Sequence, residues 1–399
     1  MGSEPMPTEE PICSPTPTPT PEPTPIPTPE PEAEEVEIHC VKNGTGNLDY
    51  VFGDGNVYSC AVFGAGETLN VSAEGEWFSA LYFCWKDRPG DYDILYPDGT
   101  TQTVAGGMLH QVVRLKEPIE SVSVAPAYGG KQIILSELSA YTAGKLPAEV
   151  QDWRYMGDGE ADICLFPAHA DDEYVFFGGI IPYYAGELGY NVQVCWMTCH
   201  DNDFIRNHEL LNALWKGGCV YYPEINYGCM DYMCTGYEYA RNLYGEDTFV
   251  EYQVRMIRKY RPLVCVGHDE NGEYGHGAHI LAALSLERAV VEAAEPDMFP
   301  DSSAQYGVWD VPKTYIHLYG AAEESTYLDF DLPMEHFGGK TMRDVALECY
   351  AEHVSQIRTS TFTVYPAGHP YDASRFGLYS SNVGDDNERK NLFENLSVK

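Results

Sequence analysis

Positive charge is scarce in this chain. Only 24 Lys plus Arg stand against 61 Asp plus Glu in 399 residues, a formal net charge of −37. Nucleic-acid binding depends on Lys and Arg contacts that release counterions from phosphate, so this balance argues against it. It argues equally against an anionic membrane surface. No run of about 18 apolar residues occurs, which speaks against a transmembrane helix. Lys and Arg are absent altogether from residues 1–35, which carry eight Glu and 12 of the 27 prolines. That leaves a formal charge of −29 on the rest of the chain, a poor match for sulfated or phosphorylated substrates.

The proline-rich start runs as Pro-Thr and Pro-Glu repeats from Ser14 to Pro31. Proline holds such a segment near polyproline II, and too little apolar area is present to offset the entropy of ordering it. Residues 1–35 therefore read as a semi-rigid spacer of the kind that holds a folded unit off a cell surface. This predicts an exported, extracellular or cell-surface protein of bacterial type, the spacer standing behind a removed export signal. The 12 cysteines do not settle the compartment. Cys164 and Cys265 sit inside apolar runs and read as buried thiols, whereas Cys229–Cys234 is a candidate disulfide in an oxidising setting.

At 44% hydrophobic the remainder has ample material for cores. Residues 36–145 show short apolar or alternating runs, among them Ala80–Trp85 and Lys131–Leu138, separated by Gly- and Asp-rich turns such as Gly53-Asp54-Gly55-Asn56. That pattern predicts an all-β sandwich. From 146 to 399 the pattern changes to strands alternating with helices. Apolar strand runs at 162–166, 191–197 and 263–267 are interleaved with helical segments at 206–215, 249–260 and 278–291. The alternation predicts a doubly wound, mostly parallel α/β sheet, with a site beyond the carboxyl ends of its strands. The tyrosine-rich stretch Tyr221–Tyr244 has little periodicity and reads as a long loop that could stack on sugar rings.

Two clusters carry the chemistry. Pro167-Ala168-His169-Ala170-Asp171-Asp172-Glu173 follows the first strand, and Gly267-His268 through Tyr274-Gly275-His276-Gly277-Ala278-His279 follows the third. Imidazole and carboxylate suit a borderline cation such as zinc. Two His and one carboxylate leave a position open for water, and a further carboxylate beside it supplies a general base. His169, Asp171, Asp172, His276 and His279 contain that set with one histidine to spare.

These clusters resemble the PIG-L (LmbE-like) de-N-acetylases, whose motifs read Ala-His-Pro-Asp-Asp-Glu and Gly-His-Pro-Asp-His. The resemblance covers about residues 155–396 and includes Arg206-x-x-Glu209-Leu210, Trp309 to Tyr315 and His353-Val354-Ser355-Gln356. It implies a Rossmann-like fold and zinc, or another divalent metal, on His169, Asp172 and His279. It further implies Asp171 as the base toward the attacking water, His276 as oxyanion stabiliser or acid, Tyr274 polarising the carbonyl, and Arg206 on the substrate. The end of the sandwich, Ile134 to Tyr141, resembles more faintly the last strand of discoidin-like (galactose-binding-like) modules, which makes Trp77, Trp85 and Tyr128 candidate sugar platforms. Two positions depart from the family pattern. Ala170 replaces proline, which is expected to loosen the turn. Gly277-Ala278 replaces Pro-Asp, which removes an acid that would support His276 as an imidazolium.

The expected activity is removal of N-acetyl groups from amino sugars (GlcNAc or GalNAc type) of extracellular glycans, with release of acetate. The alternatives are a small-molecule de-N-acetylase, of thiol-cofactor or glycosyl-inositol type, and a non-catalytic glycan-binding surface protein.

Overall fold

The computed structural model describes residues 1–2 and 30–398. Most of the Pro-Thr spacer lies outside the described residues. The strands of the first unit are β1 (Glu35–Val36), β2 (His39–Lys42), β3 (Gly46–Asn47), β4 (Ala61–Phe63), β5 (Leu69–Ser72), β6 (Phe78–Trp85), β7 (Tyr92–Leu95), β8 (Thr101–Val104), β9 (His110–Ile119), β10 (Ser121–Pro126) and β11 (Ile133–Tyr141). They form two antiparallel sheets. One runs β1-β11-β6-β9 with β4 also on β11, and the other runs β3-β2-β5-β10-β7-β8. Alternation sets the faces: Leu69 and Val71 on β5 and Val122 and Val124 on β10 are buried, while their neighbours are only partly so. Ala33 is buried and its N–H donates to the Lys145 carbonyl at 2.8 Å, so the sandwich already includes residues just before 36.

Trp85 does not serve as a platform. It is fully buried, stacked on Phe83 with ring centroids 5.0 Å apart and packed against Tyr92 at 4.8 Å. Trp77 and Tyr128 are exposed, at 56% and 105%.

The second unit is built on β12 (Ile163–Leu165), β13 (Val192–Trp196), β14 (Glu224–Ile225), β15 (Val264–Gly267), β16 (Lys313–His317), β17 (Thr326–Tyr327) and, after the small hairpin β18 (Pro333–Met334) and β19 (Lys340–Thr341), β20 (Arg375–Ser381). The sheet order is β14-β13-β12-β15-β16-β20-β17. β12, β13, β14, β15 and β16 pair in parallel, but β20 runs antiparallel to both β16 and β17. The sheet is therefore mixed rather than uniformly parallel. β20 is reached from the far end of the chain after a long excursion, so no crossover helix imposes a parallel direction on it.

The sheet separates two cores. Ile163, Leu165, Val192, Val194, Val264 and Val266 point into one, together with α2 (Ile205–Lys216) and α7 (Met342–Tyr350). The intervening Cys164, Phe166, Cys195 and Cys265 point into the other, with α4 (Glu246–Tyr260) and α5 (Gly277–Glu292). Helices thus cover both faces, as continuous apolar strands require. Leu210, Leu211 and Leu214 form the buried stripe of α2.

Cys229 and Cys234 are free thiols, as is every other described cysteine. Cys229 Sγ accepts from Asn226 Nδ2 at 3.4 Å, and Cys234 Sγ donates to the Tyr232 carbonyl at 3.2 Å, so the expected disulfide between them is absent. The tyrosine-rich stretch is not all loop. It contains β14 and α3 (Tyr237–Tyr244), and Tyr222 is buried while Tyr232 and Tyr239 stay exposed. No helix of the described residues is long and apolar enough to cross a membrane.

One core cluster runs continuously from the sandwich into the α/β unit. Tyr222 Oη accepts the Leu109 N–H at 3.0 Å, and Arg114 forms a two-pronged ion pair with Asp152 at 3.1 and 2.8 Å. Trp85→Ala should destabilise the chain by about 3–5 kcal/mol, because it empties the stacked centre of the sandwich. The shift of the denaturant unfolding midpoint checks it.

Candidate metal centre and active site

Strand order places the site. β12 lies beside β15, and the connections leave this pair in opposite directions, toward β13 and toward β16. This is the switch point at which a crevice opens beyond the strand ends. Both motif clusters leave from there, residues 167–173 after β12 and residues 268–279 after β15.

Three ligand-type atoms converge in it. His169 Nδ1 is 3.2 Å from Asp172 Oδ2 and 3.1 Å from His279 Nε2, and His279 Nε2 is 3.4 Å from Asp172 Oδ2. A tetrahedral ion bonded at about 2.0–2.2 Å sets its ligand atoms roughly 3.3–3.6 Å apart. The His279 tautomer agrees with that use: its Nδ1 donates to Glu273 Oε2 at 2.7 Å, which leaves Nε2 bare. His169 Nε2 lies 3.4 Å from Asp231 Oδ1 without a hydrogen bond, and its Nδ1 faces Asp172 and His279. Carboxylates behind ligand histidines set ring orientation and basicity in metal sites. All three groups are buried. Burial opposes ionisation of Asp172, but His279, His169 and His268 hold its carboxyl well below the usual range. The residues present therefore fit a divalent ion.

Glu273 and Asp231 carry this arrangement, and neither was singled out in the sequence. Glu273 is fully buried and takes His268 Nδ1 at 2.9 Å and His279 Nδ1 at 2.7 Å on one oxygen, and His317 Nδ1 at 2.6 Å on the other. Asp231 comes from the segment between β14 and α3 and accepts from Arg206 Nη1 at 2.6 Å. A buried Glu six residues before a ligand histidine leaves no pattern that separates it from the acidic loops abundant in this chain. Asp231 is far in sequence from either motif.

Asp171 sits at φ 113°, a left-handed conformation that costs a non-glycine residue of order 1–3 kcal/mol. The surrounding turn is bonded on all sides. The Asp171 N–H donates to Glu173 Oε2 at 2.9 Å, and Glu173 Oε1 accepts from His353 Nε2 at 2.6 Å. The Ala170 carbonyl accepts from Arg206 Nη2 at 2.7 Å, and the His169 carbonyl from Trp196 Nε1 at 2.9 Å. Ala170 itself donates its N–H to His200 Nε2 at 2.9 Å, a bond proline could not make. The turn is held rather than loosened by that substitution. Burial, and then the Asp172 charge, push the Asp171 carboxyl up to about 7.

His276 and Tyr274 complete the mouth. The His276 ring lies 4.6 Å from that of His169 and 4.7 Å from that of His279, and its Nδ1 is buried without a partner. Burial, with His169 and His279 beside it, pushes His276 down to about 2, so the ring is neutral. No acid stands at 278 to oppose this, because Ala278 is packed into the α5 core. Gly277 is required by a close approach: its N–H donates to the Cys234 carbonyl at 2.8 Å, and a Cβ there would lie 2.2 Å from the Gly236 carbonyl. Tyr274 is 42% exposed and stacks on Phe362 at 5.2 Å. Burial of its hydroxyl, and then Asp172 and Asp171, push its pKa up, so it remains a donor. Arg206 is bound to Asp231 and Ala170, with Nη2 3.8 Å from Asp171 Oδ1.

A cavity of about 1300 Å³ is lined by residues such as Lys145, Asn191, Val192, Trp215 and Phe337. It opens at the amino end of β13, away from this cluster.

No family model matches the sequence. The chain is similar to two curated 1D-myo-inositol 2-acetamido-2-deoxy-α-D-glucopyranoside deacetylases. It is 30% identical over 183 residues to one from Catenulispora acidiphila, covering 38% of this chain and 54% of that one. It is 30% identical over 183 residues to one from Rhodococcus opacus, covering 39% and 61%. The chain thus spans little more than half the length of these relatives. Among solved structures, the N,N'-diacetylchitobiose deacetylase of Pyrococcus horikoshii matches at a TM-score of 0.36 and 17% identity, over 49% of this chain and 70% of that one.

Glu273→Gln should weaken metal affinity by about 10–100-fold, because it replaces the carboxylate behind His279. Competition against a chelator of known affinity checks it.

Proposed function

We propose that this chain is a metal-dependent hydrolase that removes the acetyl group from an N-acetylated amino sugar. The observation that carries the proposal is the convergence of His169 Nδ1, Asp172 Oδ2 and His279 Nε2 within 3.4 Å of one another, with Asp171 beside them. The relatives named above deacetylate a 2-acetamido-2-deoxyglucopyranoside joined to inositol. That favours a small glycoside as substrate over the polymeric extracellular glycan that the spacer suggests. The Pro-Thr tract supports an exported setting. The intact ligand set speaks against a purely glycan-binding protein.

A zinc or similar ion in this position would supply Lewis acidity and lower the pKa of water toward about 7. Asp171, raised toward neutrality by burial, takes the proton of the attacking water. The Tyr274 hydroxyl, a donor at the mouth, points the acetamide oxygen and stabilises the charge that builds on it. Neutral His276 offers an unpartnered nitrogen within the same shell and hydrogen-bonds the reacting group. Arg206 fixes Asp231 and the Ala170 carbonyl, and so holds the turn that carries Asp171. Asp171 returns that proton to the departing nitrogen as the C–N bond breaks, and the products are acetate and a free amine.

Asp171→Asn should lower kcat by about 10²–10⁴-fold while metal content is unchanged. Acetate release from N-acetylglucosaminyl-inositol and from N-acetylated oligosaccharides checks both the role and the substrate class. Parent-like release by the variant would remove Asp171 from the mechanism, and release from neither substrate by the metal-loaded parent would overturn the proposed activity.

A further inference from the structure

A second cluster of ligand-type side chains lies at the junction of the two units, far in sequence from either motif. Cys84 is the next-to-last residue of β6, His110 begins β9, and the two are register partners across that strand pair. His208 projects from α2 of the α/β unit. All three are buried. His110 Nε2 is 2.8 Å from His208 Nδ1, and Cys84 Sγ is 3.7 Å from the same nitrogen. One donor atom from each residue lies within 4.8 Å of the others.

Hydrogen bonding fixes the state of His110. The Trp153 indole N–H can only donate, and it reaches Gln151 Oε1 at 2.9 Å, so that atom is the amide oxygen. The Gln151 amide nitrogen donates in turn to Asn212 Oδ1 at 2.7 Å. His110 Nδ1, 2.7 Å from Gln151 Oε1, must therefore donate to it, and Nε2 of the neutral ring is bare. Burial pushes His110 down to about 4 and, with His110 beside it, His208 to about 3, so both rings are neutral at pH 7. His208 then has one proton for two positions. On Nδ1 it bridges to His110 and leaves Nε2 buried and bare. On Nε2 it leaves two bare nitrogens facing each other beside a sulfur. His208 Nε2 has no hydrogen-bond partner of ordinary geometry, and the ring's further polar contact is with the Lys86 backbone. The lone-pair pair with an adjacent thiol is the arrangement a cation would satisfy.

We propose that Cys84, His110 and His208 form a second metal site, a thiolate and two imidazoles that clip the sandwich to α2 around a soft or borderline ion such as zinc. Tetrahedral zinc with sulfur at about 2.3 Å and nitrogen at about 2.0–2.1 Å sets S···N near roughly 3.6 Å and N···N near roughly 3.3 Å. The Cys84 Sγ to His208 Nδ1 distance fits as it stands, and the two rings separate by about half an ångström on binding. The Cys84 thiol proton is released as the ion enters, and a water fills the fourth position. The site bears on the first because α2 also carries Arg206, two residues before His208. The clip holds the helix that holds Asp231 and the Asp171 turn.

The test is elemental analysis of the full chain after zinc loading and gel filtration. The parent should hold two equivalents of zinc. Cys84→Ser and His208→Ala should each hold one, and His279→Ala should lose the other one. Cobalt(II) loading gives an independent reading, because the site described earlier contains no sulfur. A thiolate-to-cobalt charge-transfer band should appear in the parent, persist in His279→Ala and vanish in Cys84→Ser. A folded parent with one equivalent, lost only in His279→Ala, and no such band would overturn the second site. A parent that keeps the band but releases no acetate would leave this site standing while the proposed activity falls.

Discussion

The arrangement depends on one buried carboxylate. Glu273 is removed from water and meets three imidazoles, from His268, His279 and His317. Burial alone would drive a carboxyl toward neutrality, but these partners hold it well below its ordinary range. It thereby ties the end of β15, the start of α5 and the end of β16 to one point. His268 Nε2 then accepts the Ala168 N–H at 2.9 Å, which brings in the turn after β12. The ligand triangle lies at the centre of this web. An uncompensated charge at this depth costs several kcal/mol, so the carboxylate and the imidazoles around it stabilise one another.

The same economy explains the two departures from the PIG-L-like motifs. A proline at 170 would stiffen the turn by its ring, whereas alanine keeps an N–H and spends it on His200. Pro-Asp before the last ligand would place a ring and an acid where residues 234–236 now press on the start of α5. Gly277 gives way to that contact and Ala278 fills the core. The consequence is chemical. With no acid behind it, and with burial, His169 and His279 opposing its charge, the His276 ring stays neutral.

The strand–helix alternation was legible because burial period and turn residues are local properties. The helices at 206–215, 249–260 and 278–291 match Ile205–Lys216, Glu246–Tyr260 and Gly277–Glu292 within a few residues. The direction of β20 was not legible, since a strand's sense depends on where a long connection returns. Trp85 read as a possible platform because an aromatic near a turn has the same letter whether it faces solvent or the sandwich core. The tyrosine-rich stretch concealed α3 and the carboxylate of Asp231, whose role exists only through Arg206, His200 and His169.

Sequence by itself determined which atoms were available: three histidines and two aspartates in motifs placed directly after buried strands, in a strongly acidic chain. That the two motifs share one crevice followed only once β12 and β15 were seen to be neighbours. Only the tertiary structure decided which nitrogens are bare, because tautomers are set by partners such as Glu273 and Gln151 that contact the rings through space. The meeting of Cys84, His110 and His208 is of the same kind. The first two are joined by strand register and the third by the docking of one unit on the other, and neither is written in any local run of residues.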